Sequence, residues 1–396
     1  MKRWPIKTLR ELVDFIGGGT PRRDHPEYWG GDIPWASVKD LQGILLEGTL
    51  EKITKEGLDN SAAHLIPAGT VIIASRVGLG KVTLNKIPVA INQDLKALTP
   101  KANNLLPRYL LYSLLSKTDM LEKAGVGATV KGLNISDYQR ISIVLPPQAE
   151  QERIVKILDE ADELRKLRAQ AGRRASDLIP ALFYEMFGDA EQNPKSWIKK
   201  TIGDIASHER FAIRMGPFGS QLKKHELVDE GVKVLWIENV VKGFFEWADN
   251  KCITYEKYQQ LKGFSVKPQD ILITTMGTVG ISCVVPENIG IAIISSHLIK
   301  ITLDNTVASP IFISEIVNSG YAARYFKVFG HGAIMKGLNT TIVKGLPIPI
   351  PPLSIQQEFA KRVCEIRELE AGQAASHRQL EELFQSLLYA AFQGNL

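Results

Sequence analysis

The tetrad Gly78-Leu79-Gly80-Lys81 has the composition of a phosphate cradle, in which glycines let backbone N–H groups close on a phosphate and a lysine neutralises it. The GxxxxGK[ST] spacing needs a glycine at 75 and a hydroxyl at 82, and the chain has Ser75 and Val82 there. Nucleotide binding at this turn is therefore not expected. Gly17-Gly18-Gly19-Thr20-Pro21 and Gly216-Pro217-Phe218-Gly219-Ser220 carry no dinucleotide fingerprint and read as turns that let backbone come close to another group. The seven histidines are scattered without an HExxH, and Cys252, Cys283 and Cys364 lie far apart without a CxxC, so no metal site is expected. Neither a serine nucleophile elbow nor an Asn/Asp-Pro-Pro-aromatic methyltransferase signature occurs. No catalytic residue is expected.

What remains is recognition chemistry. Cations and amides cluster on glycine-flanked loops: Arg22, Arg23, Arg76 and Lys81 in the first half, and Arg214, Gln221, Lys223 and Lys224 in the second. Arginine and glutamine pair with two atoms of a guanine or adenine edge, whereas lysine more often meets phosphate. Charge is distributed accordingly. Residues 1–145 carry 19 cations against 14 anions and 191–350 carry 18 against 14, while 146–190 and 351–396 are each slightly acidic. Positive segments alternating with acidic ones fit a nucleic-acid reader whose cations sit on the reading domains.

The elements that position these loops occur twice. Aligning Gly125–Phe187 with Gly330–Phe392 at an offset of 205 matches 21 of 63 positions. Gly125-Val126-Gly127-Ala128-Thr129-Val130-Lys131-Gly132-Leu133-Asn134 repeats as Gly330-His331-Gly332-Ala333-Ile334-Met335-Lys336-Gly337-Leu338-Asn339. Lys131, Asn134, Lys336 and Asn339 occur in both copies. Because the two halves should read different sequences, these four suit phosphate contact or loop structure better than base reading. Trp4-Pro5-Ile6-Lys7-Thr8-Leu9 and Trp197-Ile198-Lys199-Lys200-Thr201-Ile202 open the two copies, and the middle segments diverge.

Each copy ends in a proline pair and a long helical segment, Pro146-Pro147-Gln148-Ala149-Glu150-Gln151 and Pro351-Pro352-Leu353-Ser354-Ile355-Gln356. Heptad steps give a seam of Ile154, Ile157, Leu164, Leu178 and Leu182 on the first helix. On the second they give Phe359, Ile366, Leu369, Leu380, Leu383 and Leu387, and side-by-side antiparallel packing is the expected pairing. Pro180 is expected to kink the first helix. The expected class is α+β: two similar mixed α/β globular domains, 1–147 and 191–350, with helical spacer regions at 148–190 and 351–396 forming an antiparallel coiled coil. No apolar run is long enough to cross a bilayer and no signal-peptide pattern precedes Trp4, so a cytoplasmic, membrane-free protein is expected.

These features together resemble the specificity subunit of type I restriction-modification enzymes. The resemblance rests on the two Pro-Pro-x-x-x-Gln helix starts, the Gly-x-Gly-Ala-x-x-Lys-Gly-Leu-Asn blocks, Gly18-Gly19-Thr20-Pro21 with Tyr28-Trp29-Gly30-Gly31-Asp32-Ile33-Pro34-Trp35, and Gly216-Pro217-Phe218-Gly219-Ser220. Ile355 departs from the Glu-Gln pair seen at Glu150-Gln151. The resemblance implies two target recognition domains, each reading half of a split double-stranded DNA site. It also implies helices that hold them apart and dock two methyltransferase subunits, with restriction subunits joining the full complex. S-adenosylmethionine, ATP and Mg2+ would then belong to the partners. The competing expectation is a structural coiled-coil protein carrying two ligand-binding heads.

Overall fold

The computed structural model describes residues 4–126, 133–249, 251–329 and 337–393, with the side chains of 124–126 and 393 left aside. Contacts gather the chain into two compact units, Met1–Ala171 with Ala374–Leu396, and Gly172–Gln373. Each unit contains one globular head and half of each long helix. No helix among the described residues is long and apolar enough to cross a membrane.

Burial on both faces explains the continuous apolar runs of the first head. In Val71–Ala74, Val71 and Ile73 enter a core shared with Tyr109 and Tyr112, while Ile72 and Ala74 enter a second core with Ile91 and Leu95. The strand is the middle of a five-stranded sheet ordered Val13–Gly17, Leu95–Pro100, Val71–Ala74, Val82–Asn85 and Leu45–Leu46. One face carries the helix Pro107–Leu115. Beyond the other lies a four-stranded sheet in which Trp29–Ala36 and Val89–Ile91 run parallel.

The second head repeats this plan with different side chains. Ile213–Met215, Leu298–Ile301, Ile271–Thr274 and Ser282–Val284 form its antiparallel sheet, and Val232–Leu235 runs parallel to Ala292–Ile294 in the other. Ile271 and Ile273 again face one core and Leu272 the other. Each head is closed at its base by its own termini: Ile6–Thr8 pairs with Ser142–Val144, and Lys199–Thr201 with Pro347–Pro349. These ladders end just before the two proline pairs.

The glutamine of each Pro-Pro-x-x-x-Gln start fastens the long helix to its head. Gln151 is fully buried; its Oε1 accepts the Leu106 N–H at 3.0 Å and its Nε2 donates to Asn104 O (2.7 Å) and Pro146 O (2.9 Å). Gln356, equally buried, accepts the Ser309 N–H at 2.9 Å and donates to Val307 O (3.2 Å) and Pro351 O (2.8 Å). Leu106 and Ser309 are the N-cap residues of Pro107–Leu115 and Pro310–Val317, whose first N–H groups have no partner within the helix. One amide thus joins a helix end, a loop and the proline pair.

The first long helix runs Gln148–Ser176 and restarts as Leu178–Phe187, whereas the second runs Leu353–Gln393 without a break. Pro180 accounts for the difference, because its ring opposes the carbonyl four residues back at Ser176 and it has no N–H for the ladder. Gln385 stands at the equivalent position of the unbroken copy.

Within each unit the start of one long helix packs on the end of the other, which is antiparallel pairing. Ile154, Leu158 and Ala161 share a core with Phe384, Leu388 and Ala391; Phe359 meets Phe187 and Phe183 at ring separations of 5.1 and 5.6 Å. Polar groups reinforce this. Buried Asp162 binds Arg165 (2.7 Å) and Lys166 (2.6 Å), and Arg165 reaches Glu381 (2.8 Å) across the pair.

The heptad seam needs correction. Ile154 and Phe359 are buried and Ile157, Leu182, Ile366, Leu380 and Leu387 half-buried, but Leu164, Leu178, Leu369 and Leu383 are exposed. The buried stripe falls instead on Leu158, Ile179, Val363, Phe384 and Leu388. These helices pack on a globular head as well as on each other, so the apolar face follows the 3.6-residue helical period and departs from a 3.5-residue seam.

The two heads hold their helices with different polar pairs. Asp159 accepts from Arg108 (2.7 Å) and Tyr112 (2.5 Å) in the first unit, and Arg367 pairs with Glu315 in the second. Burial raises the Glu315 carboxyl above its ordinary value although Arg367 opposes the shift. Arg367→Leu should therefore cost about 3–5 kcal/mol at neutral pH by leaving a buried carboxylate unpaired. A carboxyl whose folded pKa exceeds its unfolded value binds more protons when folded, so stability falls as pH rises through that window. The variant's deficit should shrink on acidification, and urea unfolding at a series of pH values would show it. A pH-independent deficit would refute this account.

Candidate nucleic-acid interface

Three segments far apart in sequence converge at one place in each head. In the first, Gly19 N–H donates to Ile91 O (3.0 Å), bringing the glycine opening against the turn Asn92-Gln93-Asp94, and Ser75 N–H donates to Asp94 O (2.7 Å). In the second, Gly216 N–H donates to Leu298 O (3.0 Å) and Thr275 N–H to His297 O (2.9 Å). The openings must be glycine here. A Cβ at Gly18 would lie 2.1 Å from Ile91 O, and one at Gly216 1.9 Å from Ser295 O. The third segment is the hairpin tip after the central strand, Ser75–Lys81 in one head and Thr275–Ile281 in the other.

The clusters differ in chemistry. Around the first stand Arg76, whose side chain is 67% exposed and only 3.7 Å from Asp94, together with Gln93, which accepts from Thr20 Oγ1, and Lys96. Burial pulls the Lys96 ammonium below its ordinary value and the Arg76 charge adds to that, so the two cations feel each other. Around the second stand exposed Phe218, Met276 and Val279.

The other expected contact residues divide by what already holds them. Arg22 is bidentate to Asp24 (3.1 and 2.7 Å), and Arg23 is bidentate to Glu51 (2.6 and 2.9 Å) while lying 3.6 Å over Trp29. Arg214 lies flat between Phe264 (3.7 Å) and Phe211 (4.0 Å), and burial lowers its pKa. Gln221 Oε1 accepts the Phe218 N–H at 3.1 Å and so closes its own turn. Lys223 and Lys224 are exposed. Lys81 reaches Val38 O at 3.4 Å and lines a groove beside the long helices. Asn134 and Asn339 cap short helices, accepting from Asp137 N (3.1 Å) and Ile342 N (2.9 Å), which favours loop structure for these shared residues. Lys131 and Lys336 lie outside the described residues. Among the described residues no group of His, Cys, Asp and Glu side chains is arranged to hold a metal.

A second surface also occurs twice. A groove of about 760 Å³ in the first unit is lined by Phe384, Gln385, Leu388 and Tyr389, and one of about 330 Å³ in the second by Ile179, Pro180, Phe183 and Tyr184. These are the same four repeat positions, offset by 205. Tyr389 and Tyr184 stand 67% and 68% exposed at the two grooves. Three exposed apolar pairs are identical between the copies: Leu164/Leu369, Leu178/Leu383 and Tyr184/Tyr389.

A family model described as the type I restriction modification DNA specificity domain matches residues 1–171 and 194–375. The specificity subunit of the type I restriction enzyme MjaIX of Methanocaldococcus jannaschii is 28% identical over 264 residues, covering 61% of this chain and 59% of the relative. That of EcoR124I/EcoR124II of Escherichia coli is 38% identical over 165 residues, 40% of this chain and 41% of the relative. These two matches thus span less than two thirds of each relative. The MjaVIII specificity subunit of M. jannaschii is 22% identical over 409 residues, covering 99% and 93%. Among solved structures, the type I S subunit from M. genitalium matches with a TM-score of 0.58 at 16% identity, covering 98% of this chain and 96% of that one. A chain from a type I restriction-modification assembly matches at 0.62 and 17%, covering 100% and 99%.

Proposed function

The chain belongs to the type I restriction-modification DNA specificity family, and from that membership we propose that it reads a split, asymmetric DNA site, one half with each head, without itself performing catalysis. The observation that carries this is the pair of loop clusters, built by the same three segments on strands that keep one order, with an extra edge strand on each sheet of the first head, but lined with different side chains. A shared scaffold with divergent contact residues suits two readers of different sequences. Exposed Arg76 and half-buried Lys96 give the first cluster a positive charge that suits a polyanion.

The long helices serve as the docking surface for two copies of one partner, the methyltransferase subunit. The grooves at Tyr389 and Tyr184, equivalent by repeat, support this because identical partners need equivalent seats. Restriction subunits would join that complex. Methyl transfer from S-adenosylmethionine and the ATP- and Mg2+-dependent steps are assigned to those partners, in keeping with the missing catalytic motifs. Exchanging 197–345 for the corresponding region of another family member tests the reading: methylome sequencing should show one half of the target changed and the other kept. A change in both halves would count against it.

A further inference from the structure

Resting on that reading, we infer that the hairpin tip after the central strand is the base-reading element of each head, and that the two tips read by different chemistry. Arg76 pairs with the N7 and O6 acceptors of a guanine; Met276, with exposed Val279 on the same turn, packs on the 5-methyl group of thymine.

The tips stand apart from the other loops in composition. A solvated hairpin turn favours Asn, Asp and Gly, which tolerate its backbone angles and hydrogen-bond to water. These turns read Arg76-Val77-Gly78-Leu79-Gly80 and Met276-Gly277-Thr278-Val279-Gly280, keeping glycine at φ +69° and +88° in one and +69° and +84° in the other. Beside the glycines they hold large apolar groups in water: Val77, Met276 and Val279 are all exposed, Met276 by 50%. Such exposure forgoes burial free energy at two equivalent places, and contact with a ligand would recover it.

Prior engagement separates Arg76 from the other expected arginines. The major groove is about 8.5 Å deep, so a side chain that reads a base edge must project from its domain. Arg22 and Arg23 are folded onto Asp24 and Glu51, and Arg214 is pressed between two rings with its Nη1 against Gly263. Arg76 is held more loosely, its nearest carboxylate oxygen on Asp94 standing 3.7 Å away, and its side chain is 67% exposed. Met276 takes the equivalent place after the matching strands Val71–Ala74 and Ile271–Thr274. A thioether has no strong donor or acceptor for a base edge, and the methyl of thymine is the apolar feature the major groove offers.

The test uses the full chain in complex with its methyltransferase subunits on duplexes bearing the methylome-defined site. In the half read by the first head, 7-deazaguanine at the contacted guanine should weaken binding about tenfold. Arg76→Ala and Arg76→Lys should both abolish that sensitivity, the lysine keeping the charge but not the fork. In the other half, deoxyuridine in place of thymine should weaken binding about fourfold per contacted methyl, and Met276→Ala should remove the effect. Thermal melts should be unchanged, since both side chains are exposed. Full analogue sensitivity in the variants, or none in the wild type, overturns the inference while leaving the specificity role intact. A wild-type complex that prefers no DNA sequence would instead sink the proposed function.

Discussion

Replacing Gln151 with leucine should unfold the first unit at a temperature about 10 °C below the wild type, with the second unit's transition unmoved. Leucine fills a similar volume but leaves the Leu106 N–H and the carbonyls of Asn104 and Pro146 without the amide that satisfies them. Each buried orphan costs about 1–3 kcal/mol, so the three together remove about 3–9 kcal/mol. That is a large share of the roughly 5–15 kcal/mol that holds a domain folded. At about 2–4 °C per kcal/mol for a unit of this size, the shift follows. Gln356→Leu should act in mirror fashion on the second unit alone. Gln148→Leu, three residues earlier and exposed, should do little, because it forfeits one surface hydrogen bond to Glu152. Calorimetry of the three variants decides it. If Gln151→Leu melts like the wild type, the glutamine is not what fixes the helix to its head.

The glutamines show where sequence reading stops. Their recurrence at an offset of 205 was visible, as were the proline pairs, the duplicated scaffold and the helix-breaking Pro180. The reason for the recurrence was not, since the amide's partners at Asn104 and Val307 lie 47 and 49 residues away. The helix seam was displaced for a related reason: a heptad rule assumes that a helix buries itself against another helix only. Tyr109 and Tyr112, packed around Ile154 and Leu158, belong to the head and shift the buried face by about one residue. In the loops, glycine-flanked cations were legible but their partners were not. Arg22 and Arg23 look as available as Arg76 in the sequence, yet Asp24 and Glu51 hold the first two. Gln93, Lys96 and Met276 carried no signal at all, because only the sheet order brings their segments together.

If the two grooves are the proposed methyltransferase seats, substituting aspartate for Tyr389 or Tyr184 should leave the chain folded but the complex with one such subunit in place of two, and the double variant with none. Each tyrosine is about two-thirds exposed at a groove, so a charge there costs the isolated chain little. In a complex the same charge would be buried among Phe384 and Leu388, or Ile179 and Phe183. Loss of a central aromatic anchor typically costs 2 kcal/mol or more, about thirtyfold in affinity, and a buried unpaired carboxylate adds to it. Native mass spectrometry of co-expressed subunits gives the count directly. A single variant that loses both partners would mean one partner depends on the other, and a double variant that keeps both would place docking elsewhere. The two seats should also differ in strength. The groove at Tyr389 is the larger, about 760 against about 330 Å³, and its helix is unbroken, whereas Pro180 interrupts the helix at the other. A larger groove has room to bury more of an identical partner. On dilution of the wild-type complex the subunit at Tyr184 should therefore leave first, and Tyr389→Asp should weaken the assembly more than Tyr184→Asp.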